Sequence, residues 1–276
     1  MVIQVLMYVH MYVLPFKYQL FFVKRRLSSH LCRSPHLHIT RLSSSSLCAL
    51  LEAVTMAMDT PFGSLDGAPL FTQFAITQTE KLAEFIEEFE KEDKPVPEYL
   101  TAGIVELAFH LQRFRPDDDI QLFLVPGMDP EEIVYNNLEV AWWLSACLYF
   151  YNRLVDTFND NVPFSVDAIL MCLLRAEEIK TMTEPDVLRR RDPVTFPAFV
   201  AACNTSFRQS WIYWWRSVLQ YDNDTVIPQW LTIKLVWAIK QSRAADVNFS
   251  WVEILRGIDR EASTISAQYE SLGFYS

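Results

Sequence analysis

Asp129-Pro130-Glu131-Glu132-Ile133-Val134 begins the stretch that decides the fold, and Ala141-Trp142-Trp143-Leu144-Ser145-Ala146-Cys147-Leu148-Tyr149-Phe150-Tyr151 completes it. An Asp at the cap, Pro at the first helical position and two acids beside the positive end of the helix dipole are a strong helix start. Ile133, Val134 and Leu138 give one apolar face, and from Val140 to Tyr151 nearly every residue is apolar. At 1.5 Å per residue that apolar section is about 18 Å long, too short to cross a bilayer. A helix apolar on all sides and too short for a membrane lies inside a protein. The stretch therefore predicts a long buried central helix from Asp129 to about Phe158.

The rest of the chain is read around that helix. Its 276 residues include 51% hydrophobic and 14% aromatic residues and only 6 glycines, which favours helices over tight hairpins and Gly-rich phosphate loops. Asp59 to Gln73, with Pro61, Gly63, Gly67 and Pro69, reads as a linker. The capping-box pattern Thr77-Gln78-Thr79-Glu80 predicts the next helix start, with Leu82, Phe85, Ile86 and Phe89 at helical spacing. Leu100, Ile104, Leu107, Ala108 and Leu111 mark another helix ending before Pro116, and Ile120 to Val125 reads as a short extended run. Ser165 is the expected cap of a helix carrying Ile169, Leu170, Leu173 and Leu174. Pro185, Pro193 and Pro197 break the chain before helices over 198–221, 228–245 and 250–272. The expected fold is all-α: a single irregular multi-helix domain over 59–276, preceded by a poorly structured N-terminal arm over 1–58.

The arm differs in charge from the body. It carries Lys17, Lys24, Arg25, Arg26, Arg33 and Arg41 against Glu52 alone, a balance of +5, which leaves −15 of the net −10 for residues 59–276. So acidic a body excludes general polyanion binding, which needs clustered Lys or Arg. The arm's Ser/Arg bias is that of an organellar transit peptide. Two other readings stand beside it: translation from Met56 or Met58, and a membrane anchor over residues 1–25 interrupted by Pro15 and Lys17. Localisation follows the arm: organellar if residues 1–50 act in transit, membrane-associated if they are retained, cytoplasmic otherwise.

Catalytic chemistry is sparse. Beyond residue 58 the only histidine is His110, so no histidine pair for zinc exists in the body, and it is read as a helix histidine. No Cys-x-x-Cys, Gly-x-Ser-x-Gly, Walker or dinucleotide pattern occurs. Cys147, Cys172 and Cys203 sit in apolar helical patterns, where a reduced buried thiol is the ordinary case. Sequons at Asn204, Asn223 and Asn248 carry little weight without a secretory route. Asp117-Asp118-Asp119 resembles the magnesium motif of class I terpene synthases, yet it follows Pro116 in an expected loop, and Asp156 and Asp160 lack the matching second pattern. Arg189-Arg190-Arg191 is a candidate basic patch for phosphate or an acidic partner. Trp211, Trp214, Trp215 and Arg216 form a candidate protein-contact surface. No cofactor, metal or catalytic residue is expected.

The Pro126-to-Glu132 entry, the helix through Trp142-Trp143 and Tyr149-Phe150-Tyr151, and Trp211-Ile212-Tyr213-Trp214-Trp215 resemble the helical coat proteins of plant cryptic viruses, the partitiviruses. Endogenised plant homologues, of the IAA-leucine-resistant type, are similar to this class. The resemblance spans roughly residues 70–275 and implies a noncatalytic protein of viral coat-like origin, modulating auxin-conjugate sensitivity and metal ion transport. A self-assembling coat or scaffold protein is the alternative, and a magnesium-dependent terpene-synthase-like enzyme a third reading. Self-association or a protein partner is expected, with no specific nucleic-acid site in the acidic body.

Overall fold

The long helix starts at the expected residue. Asp129 caps it by accepting the Glu131 N–H at 3.0 Å, Pro130 takes the first turn, and α-helical geometry runs over Pro130–Phe150 before widening into a π-turn over Tyr151–Val155. The computed structural model describes residues 65, 67–155, 162–221, 223, 226–242 and 250–255; 75% of the interpretable residues are helical and none is in a strand. In chain order the helices are α1 (Leu70–Lys91), α2 (Glu98–Arg113), α3 (Pro130–Phe150), α4 (Val162–Thr183), α5 (Thr195–Asn204), α6 (Arg208–Val218) and α7 (Val226–Ser242). A 3-10 turn covers Val187–Arg189, and residues 251–255 are helical. The N-terminal arm and the chain beyond residue 255 lie outside the described residues.

Helices α1 and α2 form an antiparallel pair. Phe71 at the start of α1 stacks on Phe114 just past α2, with ring centroids 4.3 Å apart. Midway, a Cβ on Gly103 would stand 3.1 Å from a Leu82 methyl, so glycine there lets the two backbones approach. All five residues that set the α2 spacing, Leu100, Ile104, Leu107, Ala108 and Leu111, are buried. Trp143 of α3 donates its indole N–H to the Leu111 carbonyl at 2.8 Å and joins α2 to the central helix.

The centre of the molecule holds two enclosed helices. Along α3, Trp142, Tyr149 and Phe150 are at most 1% exposed. Beside it runs α5, Thr195–Asn204, in which every residue from Phe196 to Cys203 is buried. Phe196 stacks on Trp142 at 5.6 Å and meets Tyr149 edge-on at 5.8 Å. Three alanines in α5, Ala198, Ala201 and Ala202, allow this close approach, and α4 closes the other side with Val166, Ile169, Leu173 and Ala176. On the far side Trp237 of α7 donates to the Ala202 carbonyl, and Lys240 caps the last α5 turn on the Cys203 carbonyl, each at 2.8 Å. Burial, with the neighbouring Arg208 cation behind it, lowers the Lys240 pKa.

Several boundaries differ from the sequence reading. Helix α1 begins at Leu70, two turns before the capping-box pattern, because Phe74, Ala75 and Ile76 bury against the core while Gln73 donates to the Ala68 carbonyl. Thr79 is thus interior and bonds back to the Ala75 carbonyl. On the same helix Phe85, expected on the core face, is 50% exposed. Helix α4 starts at Val162, so Ser165 lies inside its first turn and does not cap it, and Leu174 faces outward. The helix expected over 198–221 is two helices: at the break, Thr205 Oγ1 accepts the Phe207 N–H at 3.0 Å and donates to its carbonyl at 3.1 Å. Residues 120–125 form no strand. Their Gln121 and Leu122 carbonyls accept from Asn136 and Asn137 of α3, which supplies the partners a second strand would give.

Because the Trp142–Phe196 stack joins α3 to α5, Trp142→Ala is expected to lower unfolding stability by about 3–5 kcal/mol. Phe85→Ala, on the exposed face, should cost well under that, as read from urea midpoints by circular dichroism at unchanged slope.

Candidate functional site

Polar chemistry in the interior gathers at the π-turn. Such turns are frequent at functional sites. This one carries Asn152, 8% exposed, and Arg153, whose side chain is 5% exposed. Arg153 Nε donates to Glu80 Oε1 at 2.6 Å and Nη2 to Glu80 Oε2 at 3.2 Å, while Nη1 reaches Glu87 Oε1 at 3.1 Å. The Tyr149 hydroxyl donates to the same Glu80 carboxylate. Burial first, and the neighbouring Glu80 charge second, push the Tyr149 phenol far above its ordinary value, so it stays a hydrogen-bond donor.

These groups satisfy one another. Both Glu80 oxygens accept, and three Arg153 nitrogens are spent on two carboxylates from α1. An ion pair so enclosed loses its hydration on both sides and holds together through geometry and several hydrogen bonds. The arrangement locks α1 to the end of α3.

A second junction is built on Asn152. Its Oδ1 accepts from Asn204 Nδ2 and from the Trp251 indole N–H, each at 2.7 Å. The end of α5 and the helical turn at 251–255 are thereby fixed to the π-turn. Asn204 Nδ2 also donates to the Val200 carbonyl, so the nitrogen of the first sequon is committed inside the protein. The Asn223 amide donates to Asp192 at 3.3 Å, and Asn248 lies outside the described residues.

The Arg189-Arg190-Arg191 run does not form one patch. Arg189 pairs with Asp186 at 3.5 Å on the surface, and Arg190 turns inward to the Glu184 and Pro185 carbonyls at 2.6 and 2.7 Å. The Arg191 carbonyl accepts from Lys180, whose Nζ also holds Glu177 at 2.8 Å and the Asp192 carbonyl at 3.3 Å. Glu177 in turn accepts from the Tyr221 hydroxyl at 2.5 Å. Of the three guanidinium groups, Arg190 is spent on bracing the loop, a correction to the candidate patch. Burial, with Glu177 adding to it, raises the Tyr221 phenol.

Nor do the α6 tryptophans form a surface. Trp211, Trp214 and Trp215 are each at most 1% exposed, whereas Tyr213 and Arg216 of the same helix face outward. Trp215 stacks on Trp230 of α7 at 6.0 Å, and Trp230 meets Trp237 edge-on at 5.5 Å. The candidate contact surface is corrected accordingly: three of its four members are core, packed edge to edge on one another and, through Trp215, on Trp230 of α7. Sequence spacing gave this away in part, since 211, 214, 215 and 218 are one face of a helix and all four are buried.

Remaining candidates are dispersed. His110 lies along α2 between Phe109 and Phe114, 3.9 Å from Glu106. Asp117, Asp118 and Asp119 are exposed in a loop where Asp118 pairs with Arg115; Asp156 and Asp160 lie outside the described residues. Among the described residues no group of three or more His, Cys, Asp or Glu is placed to hold a metal ion, and no helix is long and apolar enough to cross a membrane. Cys147, Cys172 and Cys203 are free and buried; burial pushes the Cys172 thiol up to about 12 and raises the other two as well. What sequence reading missed is the π-turn cluster: Glu80 and Arg153 are 73 residues apart, and nothing in their local patterns links them.

Removing either Glu80 or Arg153 alone leaves a buried charge and is expected to cost about 3–5 kcal/mol. Glu80→Leu with Arg153→Met should cost clearly less than the sum of Glu80→Leu and Arg153→Met measured singly in urea. Tyr149, Tyr151 and Tyr221 all have phenols raised by burial above an unfolded value of about 10. Their contribution to stability is complete below that pH and is lost as pH rises through the folded values. Phenolate absorbance should therefore show three tyrosines that ionise only as the fold opens in alkali. No protein-family model, no curated protein and no solved structure matches this chain, so the likeness to partitivirus coat proteins rests on the sequence features that carry it.

Proposed function

We propose that this chain is a noncatalytic, coat-like helical protein that works by associating with protein, itself included, in a regulatory role. The observation that carries this reading is a contrast between inside and outside. The buried ionic groups of the π-turn are spent on one another, holding helices together. Large apolar side chains meanwhile stay outside, among them Phe109 on α2, Met171 on α4, Tyr213 on α6 and Leu231 on α7, each about half exposed or more. Exposed apolar rows on several helices suit protein contact.

The finer part of the reading comes from the sequence resemblance: descent from a viral coat-like gene, with a role in auxin-conjugate sensitivity and metal ion transport. Sedimentation velocity of the full chain over a wide concentration range is expected to show species larger than the monomer. A monomer at all concentrations, with no protein co-purifying from the source tissue, would sink the association reading. Loss of the gene should alter tolerance to metals or to auxin conjugates, and unchanged tolerance removes the regulatory role while leaving association to the first experiment.

A further inference from the structure

Helix α7 presents an unusual outer face. Its residues Val226–Ser242 include no acid at all, in a chain of net charge −10. Ile227, Leu231 and Leu235 are 58%, 54% and 45% exposed, and Ala238 continues the row. The one exposed cation among them, Lys234, lies over the Trp230 ring at 5.5 Å and has no carboxylate partner among the described residues.

Helix α4 presents the opposite charge on the same spacing. Asp167, Met171, Leu174 and Glu178 are exposed at intervals of four, three and four residues. Ile227, Leu231, Lys234 and Ala238 repeat those intervals on α7. Neither Asp167 nor Glu178 has an ion-pair partner among the described residues, and burial by its neighbours raises the Asp167 pKa. A cation brought beside it offsets that desolvation.

We propose that α7 of one copy seats its outer face on the outer face of α4 of a second copy. This rests on the association reading above and names its surface. Rows spaced four, three and four residues interlock when two helices cross at about 20°. In either direction Lys234 then lies within one helical turn of a carboxylate: Glu178 if the helices run parallel, Asp167 if antiparallel. Pairing like with like is disfavoured, because α4 on α4 opposes four carboxylates and α7 on α7 opposes two lysines. The contact joins two different faces, so it does not close on itself in a pair and extends to a ring or filament.

Two variants of the full chain test this, both at exposed positions: Leu231→Glu with Leu235→Glu, and Met171→Glu with Leu174→Glu. Circular dichroism should show each folded. In sedimentation velocity each variant alone is expected to be monomeric, because one face is disabled, whereas an equimolar mixture should form a one-to-one dimer and nothing larger. Lys234→Glu alone should weaken association at least tenfold. A mixture that stays monomeric overturns the unlike-face pairing. Wild-type oligomers that neither variant disturbs overturn the surface and leave the association reading standing. A wild-type monomer overturns both, and leaves α7 to be covered by this chain's own residues 256–276 or by another protein.

Discussion

The contact between Trp142 and Phe196 is the one on which the rest of the structure depends. It sets a ten-residue helix, α5, flat against the long helix α3, and both must then be covered on every side. A short helix with nearly no polar side chain has no stable place in water, and its stability comes from packing and not from propensity. The surrounding helices are the consequence. Helix α4 covers one flank, α7 closes the end through Trp237 and Lys240, and residues 251–255 bring Trp251 against Phe199 and Tyr149. Small residues matter as much as large ones here, because the alanines of α5 let its neighbours come close.

Polar groups in such a core have to be paired, and the way they are paired decides what the interior can do. Glu80, Arg153, Glu87 and Tyr149 tie α1 to the π-turn; Lys180, Glu177, Tyr221 and Arg190 tie α4 to the loop that leads into α5. In both clusters the carboxylate accepts from several donors at once. Such oxygens hold elements in register; they are poorly placed to take a proton from a substrate. The surface, by contrast, carries rows of apolar side chains edged by charge.

Tryptophan illustrates how a residue's meaning depends on what covers it. In sequence, the three tryptophans of α6 suit either a core or a contact surface, since both use large aromatic side chains. The decision is made on α7, where Trp230 stacks on Trp215 and Trp237 meets Trp230 edge-on behind it, while Tyr213 and Arg216 stay outside. The arginine triplet behaves in the same way. Of these identical neighbours, Arg189 meets Asp186 on the surface while Arg190 reaches back to the Glu184 and Pro185 carbonyls.

The sequence by itself determined the helical class, the start of α3 at Asp129, the buried face of α2 and the enclosure of the central helix. Each depends on local chemistry: a cap, a proline at the first turn, or apolar residues at helical spacing. Tertiary structure decided the rest. Packing against the core pulled the start of α1 back to Leu70, past a plausible cap at Thr77, and broke 198–221 at Thr205 so that α5 could lie inside while α6 turned away. It also brought Glu80 to Arg153 and Asn152 to Asn204 and Trp251, pairs separated by 73, 52 and 99 residues. Periodicity reports which face of a helix is apolar, but not which other helix will meet it; that is set by the shapes and charges that fit together when the chain closes.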